Sequence, residues 1–196
     1  MLKALSDKTA KLLVKYGADP EMEDIYSYGI EGVISTLLIL VFLIISGFIL
    51  NKPLHMIVFI LAWLPLRILV GGAHASSHWL CTIISVVLGT ISVGLSIFWH
   101  IVPFAVTVVL SLICYFIFFA MAPVVHKNHP ISQRRYKKTR IVARIYTTIE
   151  CIAVIIIAIL NSGFTSSALM GFLTTAVLVV IGRFSKNADN AYRDKG

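Results

Sequence analysis

The stretch IEGVISTLLILVFLIISGFIL, residues 30–50, decides the class of fold. After Glu31 it holds no charged side chain, and it is close to the roughly 20 residues a helix needs to cross a bilayer. Comparable apolar runs recur at about 53–70, 79–99, 101–122, 141–161 and 164–183. Of the 196 residues 58% are hydrophobic and 13% charged, with a mean hydropathy of +0.90. Soluble domains carry about 25% charged residues, and a surplus of apolar side chains on this scale has no soluble core to fill. These features predict an all-α integral membrane protein with about six transmembrane helices, forming a single polytopic domain over residues 1–196. The second run is short and invites a break near Pro65. The connections NKP (51–53) and NSGFTSS (161–167) suit tight hairpins between neighbouring helices.

Ahead of the first span, LKALSDKTAKLLVKY (2–16) places Leu2, Leu5, Leu12 and Tyr16 near one helical face and Lys3, Lys11 and Lys15 on another. This pattern predicts an amphipathic helix over 1–17 lying on anionic lipid headgroups. No apolar segment with a small-residue cleavage site follows the N-terminus, so no cleaved signal peptide is expected. Gly17 can end this helix, Asp19 reads as an N-cap, and Pro20 suits the first position of the next helix. That second helix should run through Tyr28, Gly29 and Glu31 into the first span.

Orientation follows from the basic residues. With a cytoplasmic N-terminus and six spans, every one of the 17 lysines and arginines except Lys52 falls on the cytoplasmic side. Both termini and residues 71–78 are then cytoplasmic. The net charge of +8 describes one membrane face and calls for no nucleic-acid partner.

Between residues 31 and 122 the only charged side chains are Glu31, Lys52 and Arg67. Glu31 and Arg67 fall near the cytoplasmic ends of their spans, at the depth of GGAHASSHWLC (71–81), a polar stretch between two apolar runs. Ionisable groups at such depths are costly unless paired or hydrated, which makes them functional candidates; as structural groups they would be a snorkelling arginine and a capping glutamate. The three cysteines, Cys81, Cys114 and Cys151, are too few and too apolar in setting for a disulfide framework. Cys114 and Cys151 lie inside apolar runs and read as small buried side chains, whereas Cys81 has polar neighbours. A cysteine with histidines suggests a nucleophile and its base. On a helix His78, three residues before Cys81, shares its face. His74 is seven residues before, roughly 10.5 Å along a continuous helix axis, and reaches Cys81 only if the backbone folds back. Gly71 and Gly72 permit such a fold, and Ser76 or Ser77 can cap the helix that follows. Irregular backbone at this depth must face protein or a water-filled cleft. Two other readings use the same features. His74, His78 and Cys81 at i, i+4 and i+7 could ligate zinc, and six helices with a polar intramembrane site could belong to a peptide transporter or exporter component, although no inverted repeat is visible. His55, His100, His126 and His129 sit at span ends or in loops and read as interfacial.

At these residues the chain resembles the AgrB family, the accessory gene regulator peptidases of Gram-positive bacteria. The resemblance covers essentially the whole chain and rests on YGIE (28–31), RILVGGAHASSHWLC (67–81) and APVVHKNHP (122–130) followed by a basic run. It implies a multi-pass cell-membrane cysteine endopeptidase with a cytoplasmic site. Such an enzyme cuts the C-terminal tail from a short AgrD-like pro-peptide and cyclises the remainder into a thiolactone or lactone autoinducing peptide for quorum sensing. The resemblance implies Cys81 as nucleophile and His74 rather than His78 as base. Arg67, Gly71, Gly72 and His78 would support the site, Glu31 would be the third member, and neither cofactor nor metal would be needed. With the membrane setting it also favours a homodimer. The basic run KNHPISQRRYKKTRIVAR (127–144) reads as an anchor to anionic lipid and, through Arg134, Arg135, Lys137 and Lys138, as a docking surface for an acidic substrate tail.

Overall fold

The computed structural model describes residues 2–72, 78–96, 98, 103–124, 133–160 and 163–184. Seven α-helices account for nearly all of them: α1 (Leu2–Lys15), α2 (Glu23–Ile49), α3 (Pro53–Val70), α4 (His78–Ser96), α5 (Phe104–Met121), α6 (Gln133–Ile159) and α7 (Thr165–Phe184). Helices α2 to α7 are each long and apolar enough to cross a membrane. The apolar runs at 30–50 and 141–161 are the inner parts of longer helices that begin at Glu23 and Gln133. Helix α3 continues unbroken through Pro65.

The junctions follow local chemistry. Gly17, with φ of 103°, terminates α1. The Asp19 side chain accepts a hydrogen bond from the Glu21 amide at 3.0 Å, and Pro20 opens a single 3-10 turn (Pro20–Met22) that leads into α2. At the other end of α2, Asn51 adopts φ of 54°, and the Asn51 and Lys52 amides close back on the carbonyls of Phe48 and Gly47. Pro53, which has no amide proton to leave unpaired, starts α3 directly.

Helix α1 folds back against α2. The small, fully buried Ser6 and Ala10 let the two backbones approach, and the Ser27 hydroxyl donates to Asp7 at 2.5 Å. Leu5, Leu12 and Tyr16 remain exposed on the outer face of α1, so its amphipathic pattern is divided between a protein partner and the surroundings.

Helix α7 is the centre of the bundle. In its span 61% of residues are buried, against 22% to 33% in the other five, which present leucine, isoleucine, valine and phenylalanine outward. It packs most heavily against α3. A side chain at Gly171 would lie 2.9 Å from the Ala62 Cβ and 3.0 Å from the Phe59 carbonyl, so only glycine permits this approach. Phe118 of α5 meets Phe172 of α7 edge-on, with centroids 5.0 Å apart. Hydroxyl pairs join α4 to its neighbours: Ser35 with Thr82 at 2.8 Å (to α2) and Ser92 with Thr174 at 2.9 Å (to α7). At the end carrying the Asn51 turn, His55 Nδ1 and the Ser167 hydroxyl are 2.9 Å apart. The opposite end gathers the C-termini of α3, α5 and α7 with the N-termini of α2, α4 and α6, and holds the candidate site.

Candidate active site

The site begins where α3 stops. Gly71 and Gly72 adopt φ of 77° and 134°, a region that L side chains rarely enter. This turns the chain off the helix axis directly after Val70, a change of direction that the glycine pair permits. The turned segment is pinned. Gly71 forms a parallel bridge with Val124, and the Val124 amide donates to the Val70 carbonyl at 2.9 Å. The APV sequence after α5, which contains a cis Ala122–Pro123 peptide bond, therefore braces the turn directly after α3.

Arg67, on the last turn of α3, reaches over this turn. Its Nη1 donates to the Gly71 carbonyl at 3.3 Å, and the guanidinium also hydrogen-bonds the Cys81 side chain. A side chain on Gly72 would sit 2.5 Å from Arg67 Nη1 and 3.0 Å from the Leu178 carbonyl of α7. Gly72 thus leaves the space that the arginine occupies. Cys81, on the first turn of α4, is half-buried, while Cys114 and Cys151 are buried in the core. The Cys151 thiol faces the Ser111 carbonyl at 3.8 Å. Of the three thiols, only Cys81 combines partial exposure with a cationic neighbour.

Helix α2 closes another side. The Tyr28 hydroxyl lies within electrostatic range of both Glu31 and Cys81. One turn further along α2, Ser35 grips Thr82, the residue after the cysteine, and fixes the register of α4 against α2. The structure therefore brings Arg67, Gly71 and Gly72 to Cys81, with Tyr28 of α2 in electrostatic range of the cysteine and of Glu31. His74 lies outside the described residues, as do the side chains of His78, Arg134 and Arg135. Lys137 and Lys138, near the start of α6, are exposed. Among the described residues no group of three or more histidine, cysteine and acidic side chains could hold a metal ion.

Two contributors to the site, and one acid elsewhere in the bundle, were not singled out from the sequence. Tyr28 counts there only as part of YGIE, with no role of its own, and Ser35 and Thr82 look like ordinary residues of their spans. Glu150, on α6, is an acid inside an apolar run, and that alone is a signal.

The sequence profile described as Accessory gene regulator B, AgrB, matches residues 6–181. The chain belongs to the AgrB family. An AgrB-like protein of Clostridium perfringens strain SM101 is 29% identical over 183 residues, covering 87% of this chain and 84% of the relative. AgrB-like protein 2 of Clostridium perfringens strain 13 is 31% identical over 159 residues, covering 75% and 73%. No solved structure matches this chain at a significant level. Together with six apolar helices, membership makes this a multi-pass membrane protein and connects it to processing in accessory gene regulator quorum sensing.

Proposed function

We propose that this AgrB-family protein is a membrane cysteine endopeptidase that removes the C-terminal tail of an AgrD-like pro-peptide and cyclises the rest. The observation that carries the reading is the setting of Cys81: a half-buried thiol on the first turn of a helix, held by Arg67, with Tyr28 in electrostatic range.

The chemistry needs little more. His74 takes the thiol proton of Cys81, and the sulfur attacks the peptide carbonyl at the junction with the tail. The amide C–N bond breaks, the tail leaves as a free amine with the proton that His74 returns, and a thioester joins Cys81 to the remaining peptide. A thiol or hydroxyl within that peptide then attacks the thioester, closes the ring and restores the Cys81 thiol. Ring closure outruns hydrolysis if the internal nucleophile is held close and water is kept out. Exchange of one thioester for another is nearly balanced in energy, so this step needs no nucleotide. Arg67 fixes the sulfur, Gly71 and Gly72 supply the bend that lets His74 return to it, Glu31 orients the imidazole, and His78 supports the site. Arg134, Arg135, Lys137 and Lys138 receive the acidic tail. On the same reading the site faces the cytoplasm of a Gram-positive bacterium, α1 rests on anionic lipid, and the protein pairs as a homodimer.

Co-expression with a candidate pro-peptide, followed by mass spectrometry, tests the reading. The expected products are a released tail and a shorter cyclic peptide. Both should be absent with Cys81→Ala. His74→Ala should prevent formation of the acyl-enzyme, and His78→Ala should at most weaken it. An intact peptide that accumulates outside the cell would instead indicate a transporter, and metal bound to the purified protein would indicate a zinc site.

A further inference from the structure

Along α2, Tyr28, Gly32, Ser35, Ile39 and Leu43 recur at steps of three or four residues and so share one helical face. That face is turned towards α4. Leu43 packs on Gly89, where an added Cβ would lie 2.5 Å from the leucine Cδ2. Ser35 bonds to Thr82 at 2.8 Å, and Tyr28 lies in electrostatic range of Cys81. Ser35, Ile39 and Leu43 are buried in this seam. Gly32 sits on the same face, one turn before Ser35, as Cys81 sits just before Thr82, so the glycine and the thiol are at one level. There the packing stops. A Cβ at Gly32 would meet no atom within 4 Å, and neither would one at Gly29. Crowding explains other glycines of the bundle: a Cβ at Gly47, further along α2, would come 2.7 Å from the Met56 Cβ. Crowding does not explain Gly32, although glycine is a poor helix former. The seam between α2 and α4 thus contains a notch beside Cys81, continuing past the exposed Gly29.

The lining selects the occupant. The Gly32 carbonyl accepts from the Thr36 hydroxyl at 2.9 Å, and the Ser35 and Thr82 hydroxyls are bonded to each other. Gly32 itself offers only C–H. A charged or strongly polar side chain entering here would lose its water without compensation, whereas an apolar one would gain from leaving it.

We propose that the notch at Gly32 seats an apolar side chain of the peptide next to the carbonyl that Cys81 attacks, which makes Gly32 a specificity-determining residue; this rests on the peptidase reading of the site. The test uses the full chain in lipid nanodiscs, with Gly32→Ala, Gly32→Leu and, as a control on the exposed side of α2, Val33→Leu. One arm needs no peptide: alkylation of Cys81, mapped by mass spectrometry, is timed with iodoacetamide and with the bulkier, apolar N-benzylmaleimide. The other arm times acyl-enzyme formation from pro-peptides with alanine, leucine or phenylalanine just before the scissile bond. Gly32→Leu is expected to keep the rates with iodoacetamide and the alanine peptide within about twofold, and to slow N-benzylmaleimide and the phenylalanine peptide about tenfold or more. Gly32→Ala should give a smaller loss of the same kind, and Val33→Leu none. If Gly32→Leu fails to insert, the Gly32→Ala series decides. Bulky probes that react with the Gly32 variants as fast as with the unmodified chain would overturn the proposal, as would equal slowing of small and bulky probes. Peptides left uncut by the unmodified chain would overturn the peptidase reading and the substrate assignment with it, whereas the alkylation arm would still show whether the notch admits an apolar group to Cys81.

Discussion

A single hydrogen atom at Gly72 decides where Arg67 can be. The backbone there has φ of 134°, and an added methyl group would meet both the guanidinium and the α7 backbone. Gly72→Ala should therefore destabilise the fold by about 1–3 kcal/mol and displace Arg67 from Cys81. Thermal unfolding reads the first effect. The rate of Cys81 alkylation reads the second and should differ from that of the unmodified chain; an unchanged rate would mean that the arginine does not govern the sulfur. The other cysteines give the contrasting case. Cys114→Ala and Cys151→Ala remove buried sulfur from the core at a cost of roughly 1 kcal/mol each and should leave peptide processing intact. Processing lost in either variant while the fold persists would count against Cys81 as the sole nucleophile. At this scale the sequence was informative about type and silent about partners. It separated Cys81 from Cys114 and Cys151 by the polarity of their neighbours, a local property. It could not place Arg67 on the sulfur, because that contact depends on how sharply the chain turns after Val70.

Between elements, the clasp of Ser35 and Thr82 sets how α4 lies along α2. Hydroxyl pairs between membrane helices contribute about 0.6 kcal/mol on average, so stability alone will register it weakly. Its sensitive readout is the site, since Thr82 follows Cys81 and Ser35 lies one turn beyond Glu31. Ser35→Ala and Thr82→Val should each slow acylation of Cys81 by several-fold, and the double variant should be little worse than either single one. Fully additive losses would show that the two hydroxyls act separately. The element boundaries were legible where a residue has one conformational use: Gly17 ending α1, Asp19 and Pro20 starting the next turn, Pro53 opening α3. Pro65 was harder, because a proline suggests a break, whereas the packed surroundings of α3 carry the helix through it. The docking of α1 on α2 was also hidden. An amphipathic pattern shows that one face is apolar but not what covers it, and here Ser6 and Ala10 are what bring the helix to a protein neighbour.

For the whole molecule, the count of spans was legible because length and hydropathy are sums over many residues, which no single contact overturns. The arrangement of the spans was not, since the central position of α7 depends on small residues such as Gly171 that look unremarkable in sequence. The charge distribution gives the prediction at this scale. Exposed Lys137 and Lys138 lie with Arg134 and Arg135 at the start of α6, and charges at such a site act over roughly 8 Å at physiological salt. Each pair contributes about 0–1 kcal/mol, so one neutralisation should matter little and four together should matter greatly. On the proposed function, a variant with all four replaced by glutamine should process an acidic-tailed peptide poorly and lose most of the salt dependence of the unmodified chain. If, correctly inserted, it worked normally at low and high salt, the segment would serve only as a lipid anchor. The bridge between Gly71 and Val124 gives this arrangement a mechanical meaning. One backbone leads towards Cys81 and the other towards the basic segment, and they are fastened side by side like two rails on one tie. A pull on either rail is felt by its neighbour, so on the proposed function a peptide held by the basic segment would also load the turn after Val70. Changes that retune which peptide is gripped would then also retune how fast it is cut, and the two traits would have to evolve together.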